Sequence, residues 1–353
     1  MRIAQVAPLY ESCPPQLYGG TERVVSHLTE ELVRQGHDVT LFASGDSMTA
    51  ATLEAPCERA LRLDPACRDP IFHHLVLLNR VRARASQFDI IHFHADFLHF
   101  PLFAANPSKT LTTLHGRLDL PDLPPFFREF PMMPLVSISD AQRAPVPWAG
   151  WRGTVHHGLP DLYPLGRGAG GYLAFIGRIS PEKGPKQAIE IARRAGLPLT
   201  IAAKVDKVDR DYYKTEIEPL LNDPLIEYIG EIGDDEKAAF LGDAMALLFP
   251  IDWPEPFGLA MIEAMTNGTP VIAFRRGSVP EIVEPGVTGF IVDSVDEAAA
   301  AIPAAKALDR KAIRHRALER FSAERMARDY VALYGKVLAR EPAARLSPVE
   351  DAG

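Results

Sequence analysis

The 353 residues predict an α/β protein of two doubly wound parallel-sheet domains, and three observations carry that expectation. Short, nearly continuous apolar runs recur along the chain, helical segments separate them, and the alternation starts afresh after a glycine-rich stretch near the middle. A chain of this length also exceeds what one hydrophobic core sustains, so two domains is the natural division.

In the first half, Ile3 to Ala7, Val39 to Ala43, Ile90 to Phe93, Leu111 to Leu114 and Leu135 to Ile138 read as strands buried on both faces. Between the first two, Val24, Val25, Leu28 and Leu32 recur at helical spacing, and Gly36 ends that helix. The segment Gly166-Arg167-Gly168-Ala169-Gly170-Gly171 has no apolar period and reads as a flexible linker, which sets domains at residues 1–165 and 171–321. Beyond it, Leu173 to Ile176, Leu199 to Ala202, Ile226 to Ile229, Ala246 to Phe249, Val271 to Phe274 and Phe290 to Val292 are the expected strands. Helices are expected to open near Pro181, Asp209, Asp234 and Gly258, and Asp309 to Arg340 reads as helical. The tail 341–353 reads as disordered. Open parallel sheets bind ligands beyond the carboxyl ends of their strands, so two that face each other place one ligand in the cleft between them.

Composition narrows the function. With 47% hydrophobic and 24% charged residues the chain is globular, and no apolar run approaches the roughly 20 residues that span a bilayer. The first residues read as a buried strand and not as a secretion signal, so the expectation is a soluble, cytoplasmic protein. A net charge of −8 opposes nucleic-acid binding, which needs many cations on one face. The basic run Arg80-Val81-Arg82-Ala83-Arg84 suits weak peripheral contact with a membrane, or else a solvated helix face. Cys13, Cys57 and Cys67 lack metal or disulfide spacing and read as ordinary thiols. His92 and His94 share one face of a strand, but no Asp, Glu or Cys stands at ligand spacing, so they read as lining a cleft. Neither a metal nor another cofactor is expected.

The first strand does not run into G-x-G-x-x-G, and no phosphate-binding G-x-x-x-x-G-K-[ST] occurs. It is followed by Tyr18-Gly19-Gly20-Thr21-Glu22 and a helix; paired glycines there either admit an anion to the helix amides or serve a turn. The second half opens with Phe175-Ile176-Gly177-Arg178-Ile179-Ser180-Pro181-Glu182-Lys183-Gly184. Ser180 and Pro181 suit a helix start, so Arg178 and Lys183 flank a site fit for a diphosphate. In Trp253-Pro254-Glu255-Pro256-Phe257-Gly258-Leu259-Ala260-Met261-Ile262-Glu263, one glutamate leaves a buried strand and the other lies on the next helix. Two carboxylates so placed accept hydrogen bonds from sugar hydroxyls on either side of a diphosphate.

These segments together resemble glycosyltransferase family 4, which has the GT-B fold. The pattern E-x7-E is Glu255 to Glu263, G-R-x-x-x-E-K-G is Gly177 to Gly184, G-G-x-E is Gly19 to Glu22, and the resemblance runs from Met1 to about Tyr334. It implies two Rossmann-like domains facing a cleft, with a helix near 322–340 crossing back onto the first. It also implies metal-independent transfer of a hexose from a UDP- or GDP-sugar, with retention of anomeric configuration. Carried over by position, Glu255 contacts the donor sugar, Glu263 the ribose, and Arg178 and Lys183 the diphosphate, aided by amides at Gly19, Gly20, Gly258 and Leu259. His115 lines the reacting bond, Phe257 belongs to the donor pocket, and Glu281 and Ile232 are lesser members of it. The chain departs from the family where N-G-[IV]-D is replaced by His157-Gly158-Leu159-Pro160 and A-C-G by Thr266-Asn267-Gly268. The acceptor, a glycan, lipid or small molecule, is expected to meet loops such as Leu118 to Phe130. Two other readings remain open, a nucleotide-sugar epimerase or phosphorylase of the same fold and a non-catalytic nucleotide-sugar sensor.

Overall fold

A computed structural model of the chain describes residues 1–16 and 19–339; Tyr18 and the expected tail 341–353 lie outside the described residues. The first sheet holds β1 (Arg2–Val6), β2 (Asp38–Phe42), β3 (Thr52–Glu54), β4 (Ile90–Phe93), β5 (Thr110–Thr113), β6 (Leu135–Ser137) and β7 (Trp151–Thr154). The second holds β8 (Leu173–Arg178), β9 (Leu199–Lys204), β10 (Ile226–Gly230), β11 (Ala246–Phe249), β12 (Val271–Phe274) and β13 (Gly289–Val292). Every pairing is parallel, in the orders β3-β2-β1-β4-β5-β6-β7 and β10-β9-β8-β11-β12-β13. Strand order therefore reverses direction beside β1 and β4 in one sheet and beside β8 and β11 in the other. Such switch points open a crevice at the strands' carboxyl ends, and both crevices face one cleft.

Alternation along the strands divides each core in two. Ile3 and Ile90 pack on one face of the first sheet, while Ala4, Val6, Ile91 and Phe93 pack on the other. The former face is covered by the helix Gly20–Arg34, through Val24, Leu28 and Leu32, and by the helix Ala323–Leu338. That second helix follows the whole of the second sheet yet buries Met326, Tyr330, Leu333, Tyr334 and Val337 against the first. The chain thus passes between sheets twice, and the passages lie side by side: Leu159 N donates to Phe321 O at 2.8 Å and Ala323 N to Leu159 O at 2.9 Å. A side chain at Gly158 would press within 2.3 Å of the Ser322 carbonyl oxygen, so this crossing requires glycine.

Several expectations change. The glycine-rich stretch is strapped to the second sheet's domain: Gly166 N, Gly168 N and Gly170 N donate to Asn267 O, Gly242 O and Asp243 O at 2.9, 3.0 and 2.9 Å. The helix expected at Pro181 is a short 3-10 turn, because Gly184 is left-handed (φ 73°), and the α-helix is Pro185–Ala195. β3 and β7 were not foreseen. In the basic run, Arg80 donates to Ala55 O and Arg84 pairs with Glu54, so part of that charge holds the fold. In the expected acceptor loop, Phe126, Phe127 and Phe130 form an aromatic cluster with Phe100, so these side chains pack on one another.

Candidate active site

β8 delivers Arg178 to the crevice of the second sheet. Its guanidinium pairs with Glu182, and its Nε stands 3.2 Å from Asp209 Oδ2 without the direction of a hydrogen bond. The turn that follows aims Lys183 across to the loop after β11, where its Nζ meets Glu255 Oε2 at 2.5 Å. Gly184 permits that approach: a Cβ there would lie 2.1 Å from the Pro250 carbonyl oxygen. Trp253 Nε1 donates to the same Glu255 oxygen at 3.1 Å, and its ring lies 4.8 Å from the Lys183 ammonium. Glu255 is thereby held from two sides.

Gly258 (φ 83°) ends the β11 loop and starts the helix Leu259–Thr266, which presents its N-terminus to the cleft. Four residues into the helix, buried Glu263 accepts from Lys237 Nζ at 2.9 Å. Burial pushes its carboxyl up, but the charges of Lys237 and Arg23 outweigh that and hold it below the usual range, so it is ionised. The helix Gly20–Arg34 meets this N-terminus from the first domain; a Cβ on Gly20 would lie 3.4 Å from Leu259 Cδ1. A cleft of about 690 Å³ is lined by Gly19, Gly20, His115, Arg178, Lys183, Ile232, Glu255, Phe257, Gly258, Leu259 and Glu263 together.

The first domain contributes a histidine cluster. His115 Nε2 lies 2.9 Å from His94 Nδ1, and the His115 ring stacks on His157 at 5.2 Å and 17°. Behind them, His94 Nε2 is 2.8 Å from Gln5 Oε1, and His92 bridges Tyr334 OH at 2.8 Å and Thr113 Oγ1 at 2.7 Å. Burial pushes His115 down to about 3, so its imidazole is neutral. Both nitrogens of His92 and of His94 are engaged within the protein, and among the described residues no group of three or more His, Cys, Asp or Glu is placed to hold a metal ion.

One expected residue stands elsewhere. Glu281 does not line the cleft; its two carboxylate oxygens accept from Asp140 N and Ala141 N, each at 2.8 Å, at the start of the short helix Asp140–Arg143 of the first domain. With Ser139 Oγ donating to Pro256 O at 2.6 Å, it joins the domains. Conversely, the structure brings in residues to which the sequence assigns no role. Asp96, after β4, has φ 48° and opens onto the cleft; it alone among described non-glycine residues has positive φ. Glu22, the acidic member of the Gly19–Glu22 motif, is buried at the cleft wall, and burial pushes it up to about 7. Lys237 had no local signal, since its partner is 26 positions away.

Residues 168–322 match the family described as glycosyl transferases group 1, and residues 18–146 match glycosyltransferase family 4. A GDP-mannose-dependent alpha-mannosyltransferase of Corynebacterium glutamicum is 25% identical over 84% of this chain and 78% of its own. An MMP alpha-(1->4)-mannosyltransferase of Mycolicibacterium hassiacum is 34% identical over 38% of each chain. An uncharacterised 41.2 kDa protein of the cps region of Klebsiella pneumoniae is 31% identical over 35% of this chain, so the match spans only about a third of the length of these last two relatives (33% and 38%). Among solved structures, AviGT4, a glycosyltransferase involved in Avilamycin A biosynthesis, superposes with TM-score 0.74 at 23% identity over 97% of this chain and 99% of that one. Anabaena HepE in complex with UDP and glucose does so with TM-score 0.70 at 19% identity over 95% and 100%. Those likenesses show the GT-B fold, and the two matched family regions, lying in order on its two domains, place this chain in glycosyltransferase family 4.

Proposed function

We propose that the protein transfers a hexose from a UDP- or GDP-sugar to an acceptor hydroxyl, with retention of configuration and without a metal. The observation that carries this reading is the grouping of Arg178, Lys183, Glu255 and Glu263 around one helix N-terminus at the switch point of the second sheet. The cations and the helix amides suit a diphosphate, Glu263 suits the ribose hydroxyls, and Glu255 suits the hexose. In the proposed step the bond from the anomeric carbon to the β-phosphate oxygen breaks, its electron pair leaving on the diphosphate. The acceptor oxygen bonds to the same face, and its proton passes to the departing phosphate. The protein's work is placement and stabilisation of the departing charge, and neither glutamate acts as a general base. Relatives named as GDP-mannose-dependent favour the guanine arm of the donor choice.

Thermal unfolding with UDP, GDP, ADP and their hexose conjugates, each with and without EDTA, tests the reading, because a ligand of the native state raises stability by RT ln(1 + [L]/Kd). A rise with one nucleotide family that persists in EDTA supports it. No rise with any nucleotide at millimolar concentration overturns it. Incubation with donor alone separates transfer from epimerisation, which changes the sugar with no acceptor present. No described helix is long and apolar enough to cross a membrane, and the exposed Phe72, Leu75 and Val76 on the helix Pro70–Ala83 extend the proposal to weak contact with anionic lipid. Cosedimentation with anionic vesicles checks that extension.

A further inference from the structure

A continuous chain of hydrogen bonds runs from the helix Ala323–Leu338 through the first sheet to the cleft. Gln5 Nε2 donates to Tyr334 OH at 3.0 Å, Gln5 Oε1 lies 2.8 Å from His94 Nε2, and His94 Nδ1 lies 2.9 Å from His115 Nε2. Gln5, His94 and Tyr334 are buried.

The protons follow from the donor and acceptor inventory. With the Gln5 amide placed so that its oxygen faces His94 and its nitrogen faces Tyr334, that oxygen only accepts, and His94 carries its proton on Nε2. Burial keeps both imidazoles neutral, with one ring proton each. His94 Nδ1 is then bare and must accept, so His115 carries its proton on Nε2. The remaining nitrogen of His115, Nδ1, bonds no described residue, and His115 lines the cleft. The other branch agrees: Tyr334 OH, having accepted from Gln5, donates to His92 Nδ1, and His92 Nε2–H donates to Thr113 Oγ1. Rotating the Gln5 amide would reverse every proton in the series, which makes that amide the element that selects between two settings.

We infer that Gln5 and Tyr334 are positioning residues that act through His94 to hold His115 as its Nε2–H tautomer, so that Nδ1 offers a lone pair to a hydroxyl of the sugar in the cleft. The catalytic use of that lone pair rests on the transferase reading; the tautomer does not. His115 under this arrangement accepts a hydrogen bond from the sugar and cannot donate one.

Long-range nitrogen–proton correlation spectra of the full chain, with 15N-histidine, read the tautomer directly, and the signals lost in His115→Asn assign it. The native protein is expected to show a bare Nδ1 and a protonated Nε2 at His115. In Tyr334→Phe and in Gln5→Met the opposite tautomer is expected to appear at His115. In both variants kcat should fall about tenfold, the size of one lost neutral hydrogen bond, while the KM for the donor stays within about twofold. A proton on Nδ1 in the native protein overturns the inference, as does a His115 spectrum unchanged in both variants. If Gln5→Met does not fold, the native spectrum and Tyr334→Phe decide. Because the spectra need no substrate, a chain inactive toward every donor would refute the transferase reading and leave this one standing.

Discussion

Lys183 and Glu255, 72 positions apart, form an ion pair at 2.5 Å. The proposed roles send the first to a diphosphate and the second to a sugar, so one contact joins the two halves of the proposed donor site. Pairing keeps both groups on the cleft wall and makes their effects interdependent. Lys183→Ala is expected to lower kcat/KM by about 10² to 10³, the scale of one lost stabiliser of departing charge. Glu255→Gln should cost less when added to Lys183→Ala than it costs alone. Steady-state kinetics of the double-mutant cycle checks this, and additive effects would contradict the coupling.

Glu263 is buried and Lys237 half-buried, so removing either gives up the ion pair that offsets the cost of burying the Glu263 carboxylate. Glu263→Ala should destabilise the fold by about 3 kcal/mol and weaken nucleotide binding at least about tenfold. Adding Lys237→Met should restore much of the stability but none of the affinity. Denaturant unfolding beside calorimetric titration separates the two; recovery of affinity would remove Glu263 from the ribose site.

Asp96 holds a left-handed backbone that glycine adopts without strain. Asp96→Gly should leave stability unchanged or raise it by up to about 1 kcal/mol, and should impair transfer more than donor binding. Thermal unfolding and acceptor-dependent kinetics check both halves. A clear loss of stability would mean that the carboxylate, and not the cleft, explains the strain.

Glu22 titrates near 7 in the fold against 4.5 for a free glutamate, because burial disfavours its charge. Its native pKa is the higher, so its contribution is fully present below about pH 4.5 and is lost as pH rises through about 7. On the order of 3 kcal/mol is at stake across that window. Glu22→Gln should flatten the fall in stability between those pH values; an unaltered profile would show that Glu22 ionises normally.

Glu281 stitches the second domain to the helix Asp140–Arg143 of the first. Glu281→Ala removes both bonds and should cost about 1 kcal/mol, as loss of a helix cap does. Small-angle scattering should then show a more extended particle. An unchanged radius of gyration would place the domain restraint elsewhere.

What the sequence disclosed was what is local. The strands of both sheets were legible because burial on two faces demands continuous apolar runs, and the loops after β8 and β11 because their cations, carboxylates and glycines lie within ten residues of one another. β7 was missed because Trp151-Arg152-Gly153-Thr154 at the sheet's edge has no such run, and β3 because three residues carry no period. The place of Glu281 at the domain junction leaves no local signal, because its partners stand 140 positions back. The linker glycines suggested freedom, whereas a Cβ on Gly166 would lie 2.2 Å from Gly242: they are small because two backbones touch. Asp96 gave no sign at all, since an unusual dihedral leaves no mark on residue type.

Gln5 and Tyr334 are 329 positions apart, yet they share one hydrogen bond inside one core. A ribosome delivers the first sheet long before the helix that covers it. Until Ala323–Leu338 emerges, Ile3, Ile90, Leu111 and Val136 have an uncovered neighbour surface, the kind of exposed apolar face that chaperones hold. The second domain waits for a helix only slightly earlier in the chain, Arg310–Phe321, which brings Ile313, Ala317 and Phe321 to its core. The half of the molecule that is made first is therefore the half that finishes folding last.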